Sequence, residues 1–71
     1  MNIWEVWGTL DGNYIFGSEK REEVLDRVCK LDKQHSEVTC KNLIFVGLNN
    51  HSEVVELMSG DELSEAAHAN R

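Results

Sequence analysis

Asn2-Ile3-Trp4-Glu5-Val6-Trp7-Gly8-Thr9-Leu10, then Asp11-Gly12, then Asn13-Tyr14-Ile15-Phe16-Gly17, is the stretch on which the fold turns. Its first nine residues are rich in β-branched and aromatic types, which suit a pleated, half-buried surface. Asp-Gly tolerates the positive φ angles of a tight hairpin turn, so the chain is expected to reverse at Asp11-Gly12. Asn13–Gly17 then returns as a second strand. A two-residue turn would pair Leu10 with Asn13, Thr9 with Tyr14 and Trp7 with Phe16, the last an aromatic cross-strand pair.

Downstream of the hairpin, Ser18 is a candidate helix N-cap, and Glu19, Glu22 and Glu23 sit where the helix dipole favours acids. Val24, Leu25, Val28 and Leu31 then fall on one face of a helix that should end near 33–35. Arg21, Asp26, Arg27, Lys30 and Lys33 make the polar face. Asn42–Leu48 is an apolar run of strand length, and Asn49-Asn50 makes a turn. Residues 53–58 fit a strand or a helix. The preceding turn and the Val54-Val55 pair favour the strand. Ser59-Gly60-Asp61-Glu62 has the form of a capping box and predicts a short helix through Leu63, Ala66 and Ala67.

The expected order is β-β-α-β-β-α, one small α+β domain spanning 1–71, with an antiparallel or mixed sheet under one main helix. Both faces of that sheet read as apolar. Ile3, Trp7, Tyr14 and Phe16 are set against Trp4, Val6, Leu10 and Ile15, and Leu43 and Phe45 against Ile44, Val46 and Leu48. One helix covers one face. The other predicts a symmetric homodimer through Trp4, Val6, Ile15, Ile44 and Val46, unless the C-terminal helix folds over it. A second copy would also help a chain this small, which buries only about 60% of the surface its unfolded form exposes.

Composition narrows the function. Thirteen acids against seven bases give 71 residues a net charge of −6. From His51 to Asn70 there are five acids (Glu53, Glu56, Asp61, Glu62, Glu65) and no Lys or Arg. Such a field repels nucleic acid and anionic membranes and attracts basic protein surfaces. No run approaches the roughly 18 apolar residues of a membrane span. Met1–Glu5 has neither a basic start nor a following apolar run, which places the expected compartment in the cytoplasm, with Cys29 and Cys40 as free thiols.

Residues that could carry chemistry are sparse. Cys29, His35, Cys40, His51 and His68 are the soft metal-ligand candidates, and none stands at the short paired spacing of a structural zinc site. The histidines have no nucleophile in a recognised context, and the five glycines (8, 12, 17, 47, 60) are too dispersed for a phosphate loop. No enzyme, metal or cofactor is therefore expected. Trp4, Trp7, Tyr14, Phe16 and Phe45 could stack nucleobases, but such a platform needs flanking bases. Here the bases interleave with acids on the main helix, so no direct nucleic-acid contact is expected.

The acidic set, which also counts Glu37, then supplies the candidate partner-binding surface: Glu53, Glu56, Asp61, Glu62 and Glu65. Glu62 and Glu65 are three apart and share a helix face. Two such patches on a dimer, net −12 (2 × −6), could imitate the phosphate ridges of duplex DNA. In size, acidity and α+β pattern, the chain resembles the small host-takeover proteins of lytic bacteriophages. Some of those resemble DNA and inhibit host DNA-binding proteins, among them histone-like HU, restriction enzymes, uracil-DNA glycosylase and RNA polymerase. The resemblance is one of composition over the whole chain and assigns no residue a role. It implies a basic nucleic-acid-binding partner, with a histone-like nucleoid protein first. The rival expectations are an adaptor with an apolar contact surface and a regulator that binds nucleic acid through Arg27 and Lys30.

Overall fold

The computed structural model describes residues 1–10, 12–35 and 40–69. The chain runs β1 (Ile3–Gly8), β2 (Tyr14–Ser18), α1 (Arg21–His35), a 3-10 turn (Cys40–Asn42), β3 (Leu43–Leu48), β4 (Val54–Ser59) and α2 (Gly60–Ala69). The four strands form one antiparallel sheet in the order β2-β1-β3-β4, which makes the fold α+β with β-β-α-β-β-α connectivity. The segment that fits a strand or a helix is a strand, Val54–Ser59, with Glu53 left in the turn before it. Asn49 builds that turn: its side-chain carbonyl accepts from the backbone N–H of His51 (2.9 Å) and of Glu53 (3.0 Å). Asp11 of the expected first turn and Glu37 of the acidic set lie outside the described residues.

The first hairpin differs from its expected register. Gly8 N–H donates to Asn13 C=O at 2.8 Å and Gly12 N–H to Gly8 C=O at 3.0 Å, so the strands close further back than a two-residue turn allows. Val6 pairs with Phe16 and Trp7 with Tyr14, Ile15 being the extra residue of a bulge. A one-residue slip moves a side chain to the other face, and this one puts Trp7 and Phe16 on opposite sides of the sheet. Trp7 instead meets Tyr14 edge-on, with ring centroids 5.5 Å apart.

Helix α1 starts later than Ser18. The hydroxyl of Ser18 accepts from Lys20 N–H at 3.1 Å, while Lys20 C=O receives Glu23 and Val24 N–H, so Lys20 opens the first turn. Val24, Leu25, Val28 and Cys29 are buried, and Leu31 is half-buried. Helix α2 follows β4 without a loop. The reversal is taken by Gly60 at φ 57°, a left-handed value that costs glycine little. Leu63 and Ala67 of α2 are buried in one cluster with Val6, Leu43, Phe45, Met58 and the α1 residues. Both helices therefore lie on the same side of the sheet, and α2 leaves the second face uncovered.

Candidate functional site

Three surfaces bear on function: the acidic helix α2, a charged cluster on the covered side of the sheet, and the open side.

Ten residues of α2 carry Asp61, Glu62 and Glu65 and no Lys or Arg. All three acids are exposed, because the helix turns Leu63 and Ala67 inward. Asp61 and Glu62 occupy the first turn, where backbone N–H groups stabilise negative charge. Helix α1, in the same layer, holds four acids and four bases. Its Lys30 pairs with Asp26 at 3.0 Å, and the guanidinium of Arg27 lies 4.7 Å from the centre of the Phe16 ring.

Glu56 does not belong with the α2 acids. It sits on the covered side of β4, opposite Gly47. Arg21 reaches it from the start of α1 with a two-pronged contact, Nε to Oε1 at 2.8 Å and a terminal nitrogen to Oε2 at 2.7 Å. Trp4 Nε1 adds a third bond to Oε1 at 3.1 Å. The hydrogen bonds from Arg21 hold the Glu56 carboxyl below its ordinary pKa, against an opposing push from burial, with Trp4 adding to the lowering. The guanidinium of Arg21 also stands 5.9 Å from the centre of the Phe45 ring. This network ties α1 to the far edge of the sheet, and its charge is already matched. Gly47 makes room for it, since a Cβ there would stand 2.7 Å from Trp4 Nε1. A glycine in the middle of an apolar strand is the one sequence signal that could have revealed the network.

Glu53 is exposed in the β3–β4 turn, at the opposite end of β4 from α2. Six strand residues at about 3.3 Å each separate it from the α2 acids by roughly 20 Å. Of the five acids expected to act together, the structure thus gathers Asp61, Glu62 and Glu65.

The open side of the sheet is apolar. The register brings Ile44 beside Trp7, Val46 beside Glu5 and Leu57, and Leu48 beside Ile3 and Val54. Ile3, Trp7, Tyr14, Ile15, Val54, Val55 and Leu57 are exposed. Of the residues expected to line a dimer contact, Ile44 and Val46 are on this side, and Ile15 is the exposed bulge residue. Trp4 and Val6 are a correction. Val6 is fully buried beneath the helices, and Trp4 points to the same covered side to reach Glu56. The β1–β3 register is the reason: it sets Val6 beside buried Phe45 and Trp4 beside Gly47, and it exposes Ile3 and Trp7 in their place.

Compared with protein-family models, curated proteins and solved structures, the chain matches none. Other chemistry is sparse. Among the described residues no three His, Cys, Asp or Glu side chains gather as metal ligands. The Cys29 thiol lies 3.5 Å from His68 Nδ1, and the cysteine is fully buried. Among the described residues no helix is long and apolar enough to cross a membrane.

Proposed function

We propose that this protein is a non-enzymatic binding protein that occupies the nucleic-acid site of a basic cytoplasmic partner, using the acids of α2 in place of phosphates. The observation that carries this reading is the division of charge within the helical layer, four acids and four bases on α1 against three exposed acids and no Lys or Arg on α2. Glu62 and Glu65 are about 4.5 Å apart along the helix axis, on the scale of the ~3.4 Å rise between phosphates of one DNA strand. The whole-chain charge of −6 supports the same partner class and opposes direct binding to nucleic acid. The engagement of Arg27 with Phe16 and of Lys30 with Asp26 counts against α1 as a nucleic-acid reader. A histone-like nucleoid protein is the first candidate partner.

The test is capture from a bacterial lysate with elution in rising salt. The reading expects basic nucleic-acid-binding proteins, released at moderate salt because surface charges are screened within about 8–10 Å at 0.1–0.15 M. The double variant Glu62→Lys/Glu65→Lys should lose them. One observation favours a second reading, an adaptor with an apolar contact: the uncovered side of the sheet. Such a partner would survive high salt and be indifferent to the charge reversal.

A further inference from the structure

We infer that the open side of the sheet is a two-fold interface, and that its occupant is a second copy of this chain. The side chains are Trp7 and Ile44, Val46 and Leu57, and Ile3 and Leu48 across the middle of the sheet, with Tyr14 at the β2 edge.

Area comes first. Four strands about 4.8 Å apart, three of six residues and one of five at ~3.3 Å each, make a face of roughly 19 × 20 Å, somewhat under 400 Å² in projection. Single chains rarely leave a continuous apolar patch above a few hundred Å². Two such faces pressed together remove on the order of 800 Å² in projection, and more once side-chain relief is included, which suits a dimer of moderate strength. The packing is the ordinary one of two sheets about 10 Å apart, with their strands inclined by about 30°.

Charge then selects the occupant. Each copy carries −6, so two copies repel except where charge is sparse. The strands put one carboxylate on this side, Glu5, and its Oε1 already accepts from Trp7 Nε1 at 3.1 Å. A basic partner finds almost nothing here to pair with and finds its acids on α2, across the molecule. The surface that matches this one in size and lack of charge is its own copy, which also meets the burial deficit of a 71-residue chain. The interface is independent of the charge-mimicry reading, and it leaves both α2 helices outward.

Glu5 supplies a signature. It lies between Gly17 and Val46, near the middle of the face, so association desolvates two carboxylates and brings them towards each other. Removing that charge should therefore strengthen the dimer.

Sedimentation equilibrium of the full chain, from about 1 to 500 μM, reads the result. The expected outcome is a reversible shift from 8.1 to 16.2 kDa (2 × 8.1), with a dissociation constant on the order of micromolar. Leu57→Lys on β4 and Tyr14→Lys on β2 should each weaken it tenfold or more. These residues are 60% and 51% exposed in the single chain, so folding should survive, and far-UV circular dichroism checks that. Two positions on opposite edges separate face packing from edge pairing, and either one decides if the other variant unfolds. Glu5→Gln should tighten the dimer several-fold, and Glu62→Lys/Glu65→Lys should not weaken it. A monomer at every concentration, a dimer that both lysine variants leave intact, or loosening by Glu5→Gln would overturn the inference. So would a monomer that loses a captured protein on Leu57→Lys, since the occupant would then be another molecule. None of these results depends on whether the α2 acids bind a basic partner.

Discussion

Replacing Glu56 by alanine should cost the fold about 2 kcal/mol and leave partner binding intact. The carboxylate accepts two hydrogen bonds from Arg21, at 2.7 and 2.8 Å, and one from Trp4 at 3.1 Å. Bonds to a charged group contribute about 1.5–3 kcal/mol each when water is excluded. Here the Arg21 and Glu56 side chains keep 35% and 28% of their exposure, so water recovers much of that on mutation, and the whole network is worth about 2 kcal/mol. For a domain of this length each kcal/mol moves the melting temperature by about 4–8 °C, so thermal unfolding should shift down by roughly 8–16 °C. Glu65→Ala, an exposed control on α2, should stay within about 0.5 kcal/mol of the parent. The pH dependence has a defined sign. Because the Glu56 carboxyl is lowered in the folded chain, its contribution is complete above its unfolded pKa of about 4.3 and is lost as the pH falls through the lower folded value. The gap between parent and variant should hold from pH 6 to 8 and close in acid. Equal melting temperatures for Glu56→Ala and Glu65→Ala at pH 7 would refute the structural role assigned to Glu56.

Gly47→Ala should destabilise the chain by about 1–3 kcal/mol and shift tryptophan fluorescence, since its Cβ would stand 2.7 Å from Trp4 Nε1 and displace the indole. Leu63→Ala removes a fully buried side chain at the junction of α2 with the core. At about 2–5 kcal/mol, against a total near 4–11 kcal/mol for a chain this long, it should leave a large unfolded fraction in denaturant titration. In a Cys40→Ser background, a thiol reagent should label fully buried Cys29 only as fast as the domain opens, and addition of urea should accelerate it.

The fold was legible because its signals are local. The apolar runs 43–48 and 54–58, the Asn49 turn and the period of Val24, Leu25 and Val28 each specify one element, and the order of elements follows. Face assignment was only half legible. In β3 strict alternation separates Leu43 and Phe45 from Ile44 and Val46, and the structure keeps that division. In the first hairpin the register depends on where the strands close and on a bulge at Ile15, neither of which is written in residue type. Phe16 therefore changed sides, and it is the pairing of Val6 with Phe45 across β1 and β3 that puts Trp4 and Val6 under the helices. Among the acids, Asp61, Glu62 and Glu65 were readable as a helix surface. Glu56 was not readable as structural, because Arg21 is 35 residues away in the chain and meets it only across the sheet. The path of α2 also needed three dimensions: Leu63 and Ala67 could have met either face, and packing beside α1 joins them to the single core.

The measurement that bears most directly on the proposed function is salt-graded capture from a bacterial lysate with the parent chain and Glu62→Lys/Glu65→Lys side by side. The account predicts that the parent retains basic nucleic-acid-binding proteins, that moderate salt or added duplex DNA releases them, and that the double variant retains none. A partner that resists high salt and binds both chains equally would contradict it.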